Sequence, residues 1–256
     1  MNIELKKKLQ SLELSDFVEA IEAQENNISY VDKTFDERLN DICETVATIR
    51  YNKLVAKLIK NAEFKYPQAS IESLNFDLRE ITKETFTNLA SMRFLESASN
   101  ITITGPTGSG KTYISCVLGI EACKRAYRVY YIRLQNLFKR LDELQGNIRD
   151  QKRYLKRLSN YSLLIIDEWL VYKLSEKEVK FLYELMELRA ERNSTVFVSQ
   201  FSVDEWHERL GGGIQADSIM DRIVHNNYEI PPTTENIRKK YDTEKINKLL
   251  DDIESK

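Results

Sequence analysis

Gly105-Pro106-Thr107-Gly108-Ser109-Gly110-Lys111-Thr112 fits Gly-x-x-x-x-Gly-Lys-Ser/Thr, the pattern of a P-loop. Glycines let the backbone curl until consecutive N–H groups point inward as an anion nest. In such a loop the lysine reaches the β- and γ-phosphates of a nucleotide, and the final hydroxyl holds Mg²⁺. The following helix aims the positive end of its dipole at the same phosphates. The chain has only 8 glycines, yet three of them gather in this octapeptide. Its flanks agree with the motif: Ile101-Thr102-Ile103-Thr104 reads as a short buried strand, and residues 113–118 open a helix.

Downstream, strand and helix patterns alternate as they do in a parallel α/β fold. Strands are predicted at 101–104, 128–132, 162–166, 195–199 and 228–230, which makes a five-stranded parallel sheet. Helices are predicted at 111–126, 134–145, 150–158, 176–192, 203–210 and 214–225. Ser202 with Glu205 forms a capping box, and Gly211-Gly212-Gly213 reads as a flexible joint. Upstream, residues 3–28 read as one helix. Thr34 with Glu37 is a second capping box, starting a long amphipathic helix through Phe35, Leu39, Ile42, Val46 and Ile49 that ends before Pro67. Residues 84–98 read as a further helix. The expected organisation is a small helical domain for docking or assembly at 1–66 and a linker at 67–83 anchored by Leu74, Phe76, Leu78 and Ile81. An α/β domain follows at 84–240, then a charged tail at 241–256.

A P-loop alone binds; hydrolysis also needs a metal ligand and a group that prepares water. Leu163-Leu164-Ile165-Ile166-Asp167-Glu168 is four apolar residues followed by two acids, the Walker B pattern. A buried parallel strand delivers Asp167 to the metal at its carboxyl end, where such sheets bind ligands. Glu168 beside it can orient and deprotonate the attacking water. The next strand ends in Val198-Ser199-Gln200, which puts Gln200 between the two motifs, where it fits either a contact to the γ-phosphate or the water, or an ordinary polar strand end. Arg222, in Asp221-Arg222-Ile223-Val224-His225, is either a surface residue or an arginine lent to a neighbouring subunit's transition state.

The chain's 256 residues are 42% hydrophobic and 30% charged, an ordinary soluble balance. No apolar run approaches a membrane span, and no apolar stretch follows Lys6-Lys7-Lys8 as a signal peptide would require, so a cytoplasmic protein is expected. Cys43, Cys116 and Cys123 lack metal spacing and read as structural thiols. His207 and His225 suggest no metal site. Net charge is −2, but residues 121–160 hold eleven Lys and Arg against four acids. Within this block Lys152 with Lys156, and Arg153 with Arg157, stand at i,i+4 on a helix whose Leu155 and Leu158 are expected to face inward. Such a row suits phosphate tracking or a solvated helix face.

The order of these segments resembles the IstB family. The likeness rests on the Thr34-Phe35-Asp36-Glu37-Arg38-Leu39 segment, the Phe76/Leu78 linker, the P-loop, Leu-Leu-Ile-Ile-Asp-Glu, Ser-Thr-Val-Phe-Val-Ser-Gln and Ile-Met-Asp-Arg-Ile-Val-His. That family comprises AAA+ ATPases that assist transposases of insertion sequences, relatives of the DnaC and DnaI helicase loaders. The resemblance implies an ATP- and Mg²⁺-dependent homo-oligomer that coats and remodels DNA, expected to be duplex, and recruits a cognate transposase. It implies that residues 105–112 bind ATP, Thr112 and Asp167 hold the metal, and Glu168 is the catalytic base. Gln200 falls at sensor 1 and Arg222 at the arginine finger. The helices at 134–158 fall where this clade faces DNA, which makes Lys139, Arg140, Lys152, Arg153, Lys156 and Arg157 the expected DNA contacts. Arg238 falls near the family's terminal Tyr-Arg segment, as a phosphate contact. Two departures stand out: Gln200 replaces the family's usual Asn, and Trp169-Leu170-Val171-Tyr172 replaces Leu-Gly-Tyr.

A helicase loader would use the same site on single-stranded DNA. A small-molecule phosphotransferase would need an acceptor pocket and an arginine-bearing lid, and neither is visible in the sequence. A nucleotide-gated adaptor would bind without hydrolysing.

Overall fold

The computed structural model describes residues 1–231 and Ile237. Two compact units divide between Lys57 and Leu58. In the first, α1 (Ile3–Ser11) and α2 (Ser15–Glu25) replace the single helix expected over 3–28. Glu13 takes a left-handed φ of 59°, Leu14 N–H bonds the Leu9 carbonyl at 2.9 Å, and Glu13 N–H bonds that of Gln10 at 3.0 Å. This is a Schellman stop built on a residue other than glycine. The third helix, α3 (Phe35–Asn61), begins at the expected box: Thr34 N–H donates to Glu37 at 2.8 Å and Glu37 N–H to the Thr34 hydroxyl at 3.3 Å. Ala20, Ile42 and Val46 make a small core between α2 and α3, and Asp16 pairs with Arg50 beside it. Cys43 is exposed there.

The second unit takes in the last residues of α3 and the stretch expected as a linker. Ala62, Phe64, Ala69, Leu74 and Ile81 are all buried in the core on one face of the sheet, so this stretch is part of the α/β body. The helix expected over 84–98 is two short ones, α4 (Lys83–Leu89) and α5 (Arg93–Glu96), parted by Met92 at a left-handed φ of 68°. Strand and helix then alternate: β1 (Asn100–Ile103), α6 (Lys111–Lys124), β2 (Val129–Arg133), α7 (Leu134–Glu143), α8 (Ile148–Ser159), β3 (Leu163–Trp169), α9 (Glu176–Arg189) and β4 (Ser194–Ser199). α10 (Trp206–Arg209), α11 (Gly213–Val224) and β5 (Asn227–Ile230) follow.

The five strands lie in the order β2-β3-β4-β1-β5, and every neighbouring pair is parallel. A parallel sheet must be covered on both faces. One face carries the core with α6, including Cys116 and Cys123; the other carries Leu137, Phe138, Leu158, Leu182, Trp169 and Trp206. The β2 edge is blunted where Tyr131 N–H bonds the Ala62 carbonyl at 2.9 Å. On α8 the buried pair is Tyr154 and Leu158, while Leu155, expected inside, is half-buried. Spacing of i,i+4 put the aromatic ring inward instead. The tail at 241–256 and Arg238 lie outside the described residues.

Candidate nucleotide site

Sheet order decides where the chemistry collects. β1 and β3 end on the same edge because all strands run the same way, with β4 between them. The loop after β1 is the P-loop, and the end of β3 carries Asp167 and Glu168. Gly105, Gly108 and Gly110 take φ values of 136°, 88° and 80°, which side-chain-bearing residues rarely adopt. Gly110 then hands over to α6 at Lys111.

The two acidic-strand and loop motifs touch directly. Thr112 Oγ1 donates to Asp167 Oδ2 at 2.9 Å. Asp167 is 3% exposed, and its other oxygen accepts the Glu168 N–H at 2.9 Å. Sequence reasoning missed a third partner: Tyr131, in β2, donates its hydroxyl to Asp167 Oδ2 at 2.6 Å. Burial, then the Asp167 charge, holds the Tyr131 phenol far above its usual range, so it remains a donor. The available signal was a hydroxyl-bearing aromatic in a buried strand, a signal that Tyr130 next to it shares.

β3 runs three residues past its expected end. A register irregularity falls between Ile166 and Trp169, and Glu168 adopts a left-handed φ of 57°. A bulge of this kind re-aims a side chain. Glu168 faces Arg133 at the end of β2, with Nε and Oε1 3.4 Å apart and both side chains partly exposed. The Ser199 hydroxyl fixes the same strand end by donating to the Trp169 carbonyl at 2.9 Å. Gln200 reaches the P-loop itself, its Oε1 accepting from Thr107 Oγ1 at 3.0 Å.

Lys111 Nζ donates to the Gly105 and Pro106 carbonyls at 2.6 and 2.7 Å. Burial lowers its pKa, with the Asp167 charge opposing the shift. The loop fits a phosphate chain on a separate observation: Ser109 Oγ is buried and has no hydrogen-bond partner among the described residues. A metal fits too, because a threonine hydroxyl and a carboxylate are hard oxygen donors of the kind that bind Mg²⁺ together with phosphate oxygens and water. A pocket of about 390 Å³ opens beside the loop, lined by Tyr66, Ser73, Arg79 and Tyr113 as well as P-loop residues.

Arg222 is not gathered with the others. The Asn100 amide, at the first residue of β1, donates to the Arg222 carbonyl at 3.0 Å, whereas the P-loop leaves the last. Its guanidinium bonds Glu187 at 2.5 Å and the Ser218 carbonyl at 2.8 Å and lies 5.4 Å from the Tyr183 ring. The cations of α7 and α8 divide into groups. Lys152, Arg153, Lys156 and Arg157 are exposed. Arg140, Arg153 and Arg157 line one hollow between the two helices, while Lys152 lines another with Lys177 and Lys180. Lys139 and Arg140 border a third with Lys65 and Arg133, and Arg140 pairs with Glu63 at 3.1 Å.

A family model described as IstB-like ATP binding protein matches residues 7–245. A putative insertion sequence ATP-binding protein of Sinorhizobium fredii (strain NBRC 101917 / NGR234) is 31% identical over 231 residues, covering 90% of this chain and 93% of its own length. The insertion sequence IS232 putative ATP-binding protein of Bacillus thuringiensis subsp. berliner is 28% identical over 194 residues, 75% of this chain and 77% of its own. Among solved structures, the crystal structure of the DnaC helicase loader superposes with a TM-score of 0.56 at 18% identity, over 66% of this chain and 99% of that one. This last likeness concerns the fold.

Proposed function

The chain belongs to the family of IstB-like ATP-binding proteins, and on that premise we propose that it is an AAA+ ATPase that assembles on DNA and assists a transposase. The observation that carries the hydrolytic part is the Thr112–Asp167 contact, which joins the phosphate loop to the acidic strand end and leaves Glu168 beside it. Loop N–H groups and Lys111 take the phosphates, the lysine exchanging its two carbonyl partners for phosphate oxygens. Thr112 and Asp167 would hold Mg²⁺, which supplies neutralisation of charge on the phosphates. Glu168 accepts a proton from the attacking water. The new bond forms from that water's oxygen to the γ-phosphorus, and the bond to the bridging oxygen breaks, leaving ADP with the electron pair. Gln200, tied to Thr107 in the same loop, would contact the γ-phosphate or the attacking water.

Arg222 belongs in this reading to a neighbouring subunit's site, since its carbonyl is held at the opposite end of β1 from the P-loop. The exposed cations on α7 and α8 supply the DNA contacts. The insertion-sequence names of the relatives support a transposase as partner over a replicative helicase. Among the described residues no helix is long and apolar enough to cross a membrane.

The test is the size of the protein with and without ATP and duplex DNA, by light scattering after chromatography. A large DNA-bound species that forms only with ATP is expected. An unchanged size in all four conditions, with no heat of ATP binding, would overturn the reading.

A further inference from the structure

The pocket beside the P-loop has a wall that neither Walker motif supplies. It comes from residues 66–79, ahead of the sheet. That stretch is fastened on both sides of Arg79: Leu74 and Ile81 are buried, and the Phe76 ring packs on Phe86 at 5.8 Å between centroids. Asn75 caps the turn Phe76–Leu78 by accepting from Asp77 N–H at 3.0 Å. Arg79 is therefore delivered from an anchored backbone. It lies across the P-loop, with Nη1 3.4 Å from the Ser109 carbonyl that it donates to. A Cβ built on Gly110 would stand 2.9 Å from Arg79 Nη2, so the missing side chain at Gly110 makes room for the guanidinium.

Three sources of positive charge thus converge on one pocket: Arg79, Lys111 and the amino end of the fourteen-residue helix α6. None of the described residues lining that pocket is acidic. Positive charges gathered with a helix amino end attract a polyanion. The remaining wall is mostly aromatic, with Ile237 beside the rings. Tyr66 and Tyr113 lie 5.5 Å apart with their rings tilted, and the Tyr113 and Ser73 hydroxyls share a hydrogen bond of 2.5 Å. Apolar rings with a few placed hydroxyls suit the less charged end of a nucleotide.

We propose that Arg79 is a second phosphate-binding cation of the nucleotide site, contacting the diphosphate portion beside Lys111, with Tyr66 and Tyr113 flanking the nucleoside. This inference rests on the reading of the P-loop as an ATP site and adds a specificity element to it. A guanidinium gives two parallel N–H donors to phosphate oxygens, which an ammonium cannot.

The experiment measures ADP affinity by calorimetry for the full chain and for Arg79→Ala, Arg79→Lys and Arg79→Gln, together with nucleotide-free thermal melting. Loss of one charge-assisted contact corresponds to about tenfold to a hundredfold weaker ADP binding in Arg79→Ala. Arg79→Lys is expected to bind more tightly than Arg79→Gln, because it restores charge. ADP affinity equal to wild type in Arg79→Ala overturns the proposal, as does equal affinity of the Lys and Gln variants. Should Arg79→Ala fail to fold, that Lys–Gln pair decides alone. A clip that only pins the segment would shift the nucleotide-free melting point and leave ADP affinity unchanged. Failure of the wild type itself to bind ADP or ATP would overturn the P-loop reading instead, a distinguishable result.

Discussion

Thr112 and Asp167, 55 positions apart in the chain, share one hydrogen bond at 2.9 Å, and that bond closes the phosphate loop onto the acidic end of β3. Everything in the proposed reaction is arranged on either side of it. Asp167 is held from three directions, by Thr112, by Tyr131 and by the Glu168 amide. A carboxylate with such partners is oriented before nucleotide arrives.

Lys111→Ala is expected to lose tight ATP binding and, with it, assembly on DNA. The lysine ammonium is the charge that meets the β- and γ-phosphates in a P-loop. Calorimetry and sizing check this; wild-type nucleotide affinity in the variant would move the site elsewhere.

Glu168→Gln is expected to bind ATP normally and to hydrolyse it about 10²–10⁴-fold more slowly, the usual worth of a general base. The protein should then stay locked on DNA. Asp167 keeps its contacts in this variant, so only the proton acceptor is lost. Single-turnover hydrolysis is the measurement, and wild-type turnover would assign the water to another residue.

Replacing Lys152, Arg153, Lys156 and Arg157 by Glu is expected to abolish DNA binding and leave ATP binding intact. For the wild type, the logarithm of duplex affinity should fall against the logarithm of salt with a slope of about −0.9 per phosphate contact. Arg153 and Arg157 share a hollow with Arg140, whereas Lys152 faces Lys177 and Lys180. Single Ala variants in the arginine hollow should weaken binding across all sequences alike. Unchanged DNA affinity in the quadruple variant would return α8 to a solvated face.

Arg222→Ala is expected to bind ATP nearly normally and to hydrolyse it poorly; arginine fingers in GTPases contribute roughly 10³–10⁵ in rate. Mixing Arg222→Ala with Lys111→Ala should restore some activity, since an intact loop from one can meet an intact arginine from the other. Co-assembly is confirmed first by sizing the mixture. Co-assembly without recovered activity would rule out action in trans by this residue.

The parts legible in the sequence are those written in local order. The octapeptide, the run ending in Asp167-Glu168 and the boxes at Thr34–Glu37 and Ser202–Glu205 each specify their conformation within a few residues. The five parallel strands followed from alternation alone. What escaped depends on tertiary placement. Tyr131 and Arg133 reach the site through strand register, which pairs Arg133 with Asp167. Arg79 arrives from a stretch read as a linker, although its neighbours Leu74 and Ile81 are core. Glu13 after α1 and Met92 just before α5 take a left-handed conformation that is expected of glycine, so those breaks carried no local signal.

β1 has one further consequence for any assembly. Its four residues span roughly 10 Å at about 3.3 Å each. Asn100 at one end grips the Arg222 and Ile223 carbonyls, and the P-loop leaves the other end. A subunit that lends Arg222 to its neighbour while receiving another's at its own loop uses two different surfaces to do so. Where those two surfaces meet two different neighbours, as in a ring or an open array, the contact is heterologous. An assembly built on that contact would have a direction. Each member would have a donor side and an acceptor side, and one terminal subunit of an open array would hold a nucleotide that no arginine completes. A protein organised in this way distinguishes the two directions along the DNA it covers, and hydrolysis at one end is chemically unlike hydrolysis at the other.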